Sequence, residues 1–117
     1  MRRLRRICPM NERAMSMLGL CARAGKLISG EKAVVRAIRS GACALAILDG
    51  GVAANGEKAV SQACQTHEVP LLRTAPGELG RAIGRPGRMA VAVIDAGMAR
   101  RVIQLCETPG GGQPPEL

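Results

Sequence analysis

The sequence predicts an α/β fold, a three-layer α/β/α sandwich around a small mixed, mostly parallel sheet. Residues 44–48 (ALAIL) and 89–94 (MAVAVI) are continuous apolar runs, the mark of strands covered on both faces. Segments with apolar residues three and four apart alternate with these runs, so helices and strands take turns along the chain. At 117 residues and 47% hydrophobic content, the chain has the size and composition of one globular domain.

Residues 11–24 place Ala14, Met17, Leu18 and Cys21 at helical spacing, and Gly25 supplies the stop. Residues 26–29 form a short apolar link or strand. A second helix spans 30–40, with Ser29 as its N-cap and Gly41 closing it. The buried strand 44–48 precedes a helix over 55–68. A second short strand covers 70–73, and Thr74 caps a short helix over 76–83. The third strand, 89–94, leads into a closing helix over 96–106.

These elements define one domain over residues 11–107, preceded by a basic tail, 1–10. The last ten residues, 108–117 (TPGGGQPPEL), have the composition of a disordered tail. The leading MRRLRRICPM lacks the apolar centre of a signal peptide, and no apolar run approaches the roughly 18 residues of a membrane span. A cytoplasmic protein is the expectation. The RRLRR segment fits a non-specific polyanion contact, a solvated tail or the remnant of an upstream segment.

The net charge is +8, and its distribution says more than its size. Residues 1–41 hold ten Lys or Arg against only Glu12 and Glu31, while the rest of the chain is balanced at seven of each sign. The whole excess sits in the N-terminal third, which points to a polyanionic partner. Phe, Tyr and Trp are absent, and because single-strand readers usually stack bases on aromatic rings, any nucleic-acid partner is expected to be recognised by other means. Cys8, Cys21, Cys43, Cys64 and Cys106 are widely spaced, with no C-x-x-C pair and only His67 as a nitrogen ligand. Four of them fall among Ala, Leu and Val, as expected of reduced core thiols, and neither a metal nor a cofactor is expected.

Within the second helix, Val34, Ala37, Ile38 and Gly41 project to one side, and Lys32, Arg36 and Arg39 to the other. From a Ser29 cap, a capping box would place Glu or Gln at position 32, where this chain has Lys. A cation there opposes the helix dipole, at a cost of a few tenths of a kcal/mol that a bound phosphate would reverse. A solvated face satisfies the same pattern. Gly30 leaves the first-turn amides open to an anion. A second loop, Gly84-Arg85-Pro86-Gly87-Arg88, carries two arginines on a Pro and Gly frame and reads equally as an exposed turn.

The segment GLCARAGKLISGEKAVVRAIRSG, followed by ALAIL, by the C-x-x-x-x-V-P of residues 64–70 and by ELGRAIGRPGRMAVAVID, resembles the bacterial YlxQ-type proteins. These are similar to archaeal large-subunit protein seven-Ae and eukaryotic large-subunit protein thirty-e, members of the kink-turn-binding ribosomal-protein superfamily. The resemblance covers residues 13–107. It implies a thirty-e-like sandwich that binds RNA without catalysis, gripping a kink-turn, an internal bend built on tandem G·A pairs, with the start of the second helix and the loop before the last strand. Carried over by position, Gly30, Glu31 and Lys32 match the recognition turn, and Arg36 matches a basic helix position. Gly84, Arg85, Pro86, Gly87, Arg88 and Met89 match the second loop. Lys26 is expected beside them, and Arg39 extends the basic face. The resemblance departs at Lys32-Ala33, where better characterised relatives carry Asn-Glu or Lys-Gln.

The expected partner is structured RNA, possibly ribosomal RNA or the ribosome, bound by a monomer away from any membrane. Two other classes fit parts of the sequence. An acidic protein partner would also match the basic stripe, and the superfamily fold occurs as a substrate-binding domain associated with RNA-modifying enzymes. No catalytic residue is assigned: His67, in QTHEVP, falls at a helix end and reads as a surface or capping histidine.

Overall fold

A computed structural model describes residues 11–107. The basic segment 1–10 with Cys8, and the tail 108–117, lie outside the described residues. Five helices and four strands alternate: α1 (Glu12–Arg23), β1 (Leu27–Ser29), α2 (Glu31–Arg39), β2 (Leu45–Leu48), α3 (Ala54–His67), β3 (Leu71–Arg73), α4 (Glu78–Ile83), β4 (Ala90–Val93) and α5 (Ala96–Glu107). Asn11 opens α1 by accepting the amide of Ala14, and its own side-chain nitrogen donates to the carbonyl of Leu105, tying α1 to α5.

The sheet runs β1-β4-β2-β3 and separates two helical layers. Leu45 and Ile47 of β2, with Val91 and Val93 of β4, face α1, α4 and α5, where they meet Leu18, Leu79, Ile83 and Val102. The alternate residues Ala46, Leu48, Ala90 and Ala92 face α2 and α3, against Val34, Ile38, Val60 and Cys64. Each fully buried Leu, Ile or Val contributes about 1.5–3 kcal/mol of transfer free energy. The three alanines on the second face let α2 approach the sheet closely. Cys21, Cys43, Cys64 and Cys106 are buried, as expected for core positions.

The sheet is mixed, but it is not mostly parallel. Only β2 and β3 run parallel; β4 runs antiparallel to both β1 and β2. The apolar runs in β2 and β4 report coverage on both faces by helices, and that coverage is independent of strand direction.

Two caps also differ from expectation. Ser29 is the last residue of β1, paired with Val91, and the N-cap of α2 is Gly30, which has no side chain to offer. Thr74 does not cap α4, whose N-cap is Gly77. Its hydroxyl instead donates to Ala75 O and Asp49 Oδ1. Asp49, fully buried at the end of β2, reaches α4 from 30 residues away: Oδ1 accepts the amide of Leu79 at 3.0 Å. Its Oδ2 accepts the amides of Gly51 and Gly77. A loop carboxylate does the work expected of the local hydroxyl.

Candidate nucleic-acid interface

Antiparallel pairing places the candidate site. Because β1 and β4 run in opposite directions, the end of β1 meets the beginning of β4, with Ser29 opposite Val91. The chain leaves β1 into Gly30 and α2, and it enters β4 from the loop at 84–89. Segments far apart in sequence therefore share one edge of the sheet. The Gly30 amide donates to the Ala90 carbonyl at 2.9 Å and fastens the junction.

Gly30 has φ 105° and ψ 135°, a backbone region essentially closed to other residues. Its carbonyl accepts the Val34 amide and starts α2, while no side chain caps the first turn. Helix amides left this way, with the dipole behind them, attract anions. Gly30, Glu31, Lys32, Ala33, Gly87, Arg88 and Met89 line an open cleft of about 400 Å³. The Arg88 guanidinium reaches over Gly30, with Nη1 3.4 Å from where a β-carbon on Gly30 would stand.

The second wall is a turn held against α4. Arg88 N–H donates to the Arg85 carbonyl, with Pro86 and Gly87 between them and Gly87 at φ 90°, the pattern of a type II turn. Gly84, at φ 73°, ends α4, and the Arg85 amide donates to the Gly80 carbonyl at 2.8 Å. Gly80 itself was not singled out in the sequence. A β-carbon there would stand 2.7 Å from the Arg85 carbonyl oxygen, so its lack of a side chain lets the turn lie on the helix. A glycine inside a helical pattern was the available signal.

Lys32, Arg36 and Arg39 are exposed along the outer face of α2, while Val34, Ala37 and Ile38 are buried. Gly41 lies past the helix end and is exposed, so the core face stops at Ile38. A groove of about 500 Å³ separates α2 from α3, lined by Val35, Ala59 and Gly56 among others and bordered by Lys32, Arg36 and Arg39. Glu31 turns its carboxylate into this groove, Oε2 standing 2.5 Å from the β-carbon position of Gly56. The acid thereby rests on α3.

Of the expected residues, Lys26, Gly84, Arg85 and Pro86 do not line the cleft, and Arg36 and Arg39 line the α2–α3 groove instead. Lys26 sits at the opposite end of β1, where its carbonyl accepts the Ile94 amide, and it does not line the cleft. An extended strand advances about 3.3 Å per residue, which separates Lys26 from Gly30 by on the order of 13 Å. Arg85, also exposed, lines a different groove from Arg88, one bordered by α1 and α4. His67, the last residue of α3, is exposed. Among the described residues, no helix is long and apolar enough to cross a membrane.

A mixed sheet between two helical layers, with an uncapped helix start and a basic turn at one edge, defines a small α/β/α protein equipped to hold an anionic ligand. The profile of the ribosomal protein L7Ae/L30e/S12e/Gadd45 family matches residues 12–103. The chain belongs to that family. It is 37% identical over 92 residues to RNA-binding protein YlxQ of Bacillus subtilis (strain 168), covering 78% of this chain and 92% of that protein. It is 31% identical over 97 residues to RNA-binding protein YlxQ of Enterococcus faecium, covering 82% and 93%. A solved structure of a protein of unknown function from Bacillus halodurans superposes with TM-score 0.77 at 34% identity, covering 82% of this chain and 98% of that one. The Giardia lamblia 15.5kD RNA binding protein shares the fold, with TM-score 0.68 at 17% identity over 85% of this chain and 92% of its own.

Proposed function

We propose that this chain binds structured RNA without catalysis, holding a bent phosphodiester backbone in the cleft between the start of α2 and the loop at 84–89. The observation that carries this reading is the antiparallel β1–β4 pairing, which gathers uncapped helix amides, Lys32 and Arg88 around one opening. Helix amides and guanidinium forks both favour phosphate, and each is worth more where the two converge. The relatives named as RNA-binding proteins support the choice of anion.

With no Phe, Tyr or Trp in the chain, recognition rests on backbone and shape. The ligand in this reading is a kink-turn or a similar bend in ribosomal RNA, bound by a monomer in the cytoplasm. Lys32, Arg36 and Arg39 extend the phosphate contact along α2. Lys32-Ala33 replaces the polar pair of better characterised relatives, so phosphate contacts carry more of the binding here than base reading does.

The test is a salt titration of binding to a kink-turn RNA and to the same RNA with its G·A pairs replaced by Watson–Crick pairs. A preference for the kinked RNA of about tenfold or more, or 1.4 kcal/mol, supports kink recognition. Equal affinity with a steep salt dependence leaves a binder of structured RNA that does not select the kink. Weak binding to both, with a shallow slope, contradicts RNA as the ligand.

A further inference from the structure

The turn at 84–88 has two sides, and the proposed RNA cleft uses one. On the other side a groove of about 410 Å³ runs between the C-terminal ends of α1 and α4. Arg23, Arg81 and Arg85 line it, over a floor of Gly19, Ala22, Ala82 and Ile83. The floor is shallow because the helices touch: a β-carbon on Gly19 would stand 3.2 Å from the Ala82 carbonyl oxygen. The Arg23 guanidinium folds back along its own helix, with Nη1 4.0 Å from that same point, so it lines the groove while staying exposed to solvent.

Helix C-termini favour cations, and one arginine at each end has that ordinary explanation. Three arginines, from α1, α4 and the turn, lining one groove exceed it. No carboxylate lines the groove. Glu78 pairs with Arg81, and Arg81 also lines, with Glu78 and Glu12, the neighbouring cavity on the N-terminal side of the two helices, so it borders both openings. The Arg81 side chain remains 68% exposed despite that pair.

We infer that this groove is a second phosphate-binding surface, which takes the RNA backbone as it continues past the turn, so that the RNA straddles residues 84–88. The naming of the anion as RNA rests on the function proposed above. Continuity selects RNA over an acidic protein: Arg85 and Arg88 are the ends of one tight turn, each facing a different basic cleft. Regularly repeating charge along one chain satisfies both sides at once. The small aliphatic floor suits a backbone lying across it and offers no platform for a base.

The test uses the full chain and a kink-turn duplex RNA with arms of about ten base pairs, titrated over a range of salt. Arg23→Gln with Arg81→Gln should lower the magnitude of the log–log salt slope by about two and weaken binding about tenfold or more near physiological salt. Arg23→Lys with Arg81→Lys should retain the slope, since phosphate neutralisation needs only the charge, and thermal melting checks that each variant is folded. An unchanged slope in the folded glutamine variant overturns the groove as a binding surface. Lys32→Ala with Arg36→Ala is the parallel arm. If that pair alone lowers the slope, the α2 cleft stands and the groove falls; if only the α1–α4 pair lowers it, the groove stands and the α2 cleft falls. If neither does, both fall.

Discussion

The guanidinium of Arg88 stands over Gly30, its Nη1 3.4 Å from the point a β-carbon at residue 30 would occupy. A loop and a helix start 58 residues apart in the sequence (88 − 30) are thus brought together at a residue that has no side chain. Gly30→Ala should be destabilising by about 1–3 kcal/mol, chiefly because φ 105° is a glycine conformation. The contact itself costs little, since the far end of an arginine can swing away. Urea unfolding measures the stability, and RNA affinity should fall further than stability alone dictates, because a relaxed Gly30 reorients the first-turn amides. Unchanged stability would contradict the backbone conformation.

Gly80 gives a second test with opposite local and tertiary effects. Helix propensity alone makes alanine the better residue by about 1 kcal/mol. The β-carbon, however, would stand 2.7 Å from the Arg85 carbonyl oxygen and 3.1 Å from the Gly87 nitrogen, both backbone atoms. Gly80→Ala should therefore lower stability, by about 1–3 kcal/mol as for other overpacked sites, and displace the turn that carries Arg88. A variant that is more stable and binds RNA normally would show that the turn does not rest on the helix.

Asp49 makes stability depend on acid. Burial pushes its carboxyl pKa up, but the amides of Gly77, Gly51 and Leu79 and the hydroxyl of Thr74 outweigh that, and the net direction is down. A carboxylate whose folded pKa lies below the unfolded value of about 3.9 stabilises fully above that value, and the contribution disappears as pH falls through the folded pKa. Asp49→Asn should cost about 2–4 kcal/mol near neutrality, since it weakens three amide contacts and the α4 cap together. The gap between the urea midpoints of the two proteins should be widest near neutrality and narrow progressively as pH falls below about 3.9. A constant gap would mean that the carboxylate charge contributes nothing.

How much of this was legible in the sequence depends on the range of the interaction. The helices were legible because their apolar spacing is local: Ala14, Leu18 and Cys21 mark α1, and Val34, Ala37 and Ile38 mark α2. Strand burial was legible in ALAIL and MAVAVI, yet strand direction was not, because helices on both sides give the same run either way. That omission conceals why Gly30 and Arg88 meet at all. Asp49 acts across 30 residues and Gly80 through a space it leaves empty, and neither effect has a local pattern. Ser29 and Thr74 satisfied local capping rules, and pairing with Val91 and Asp49 claimed them instead.

The core thiols should be inert. Burial pushes Cys43 up to about 11, and burial with Cys43 nearby pushes Cys64 up to about 12. At neutral pH both remain protonated and enclosed, so iodoacetamide should modify their peptides only on unfolding, as read by mass spectrometry in native and denaturing buffer. The sign for stability follows: it is undiminished below about 9, where unfolded thiols still hold their protons, and falls as pH rises toward 11 and 12. Rapid native labelling of either cysteine would contradict the packing of α2 and α3 on the sheet.

The arrangement of the cleft is tested most directly by amide chemical-shift mapping during titration of the full chain with a kink-turn RNA. Perturbations should concentrate at residues 30–33 and 84–89 together, with Lys26 and the outer face of α5 little changed. If those two segments stay silent while RNA binds, or if only one of them responds, the junction made by β1 and β4 is not where the RNA is held.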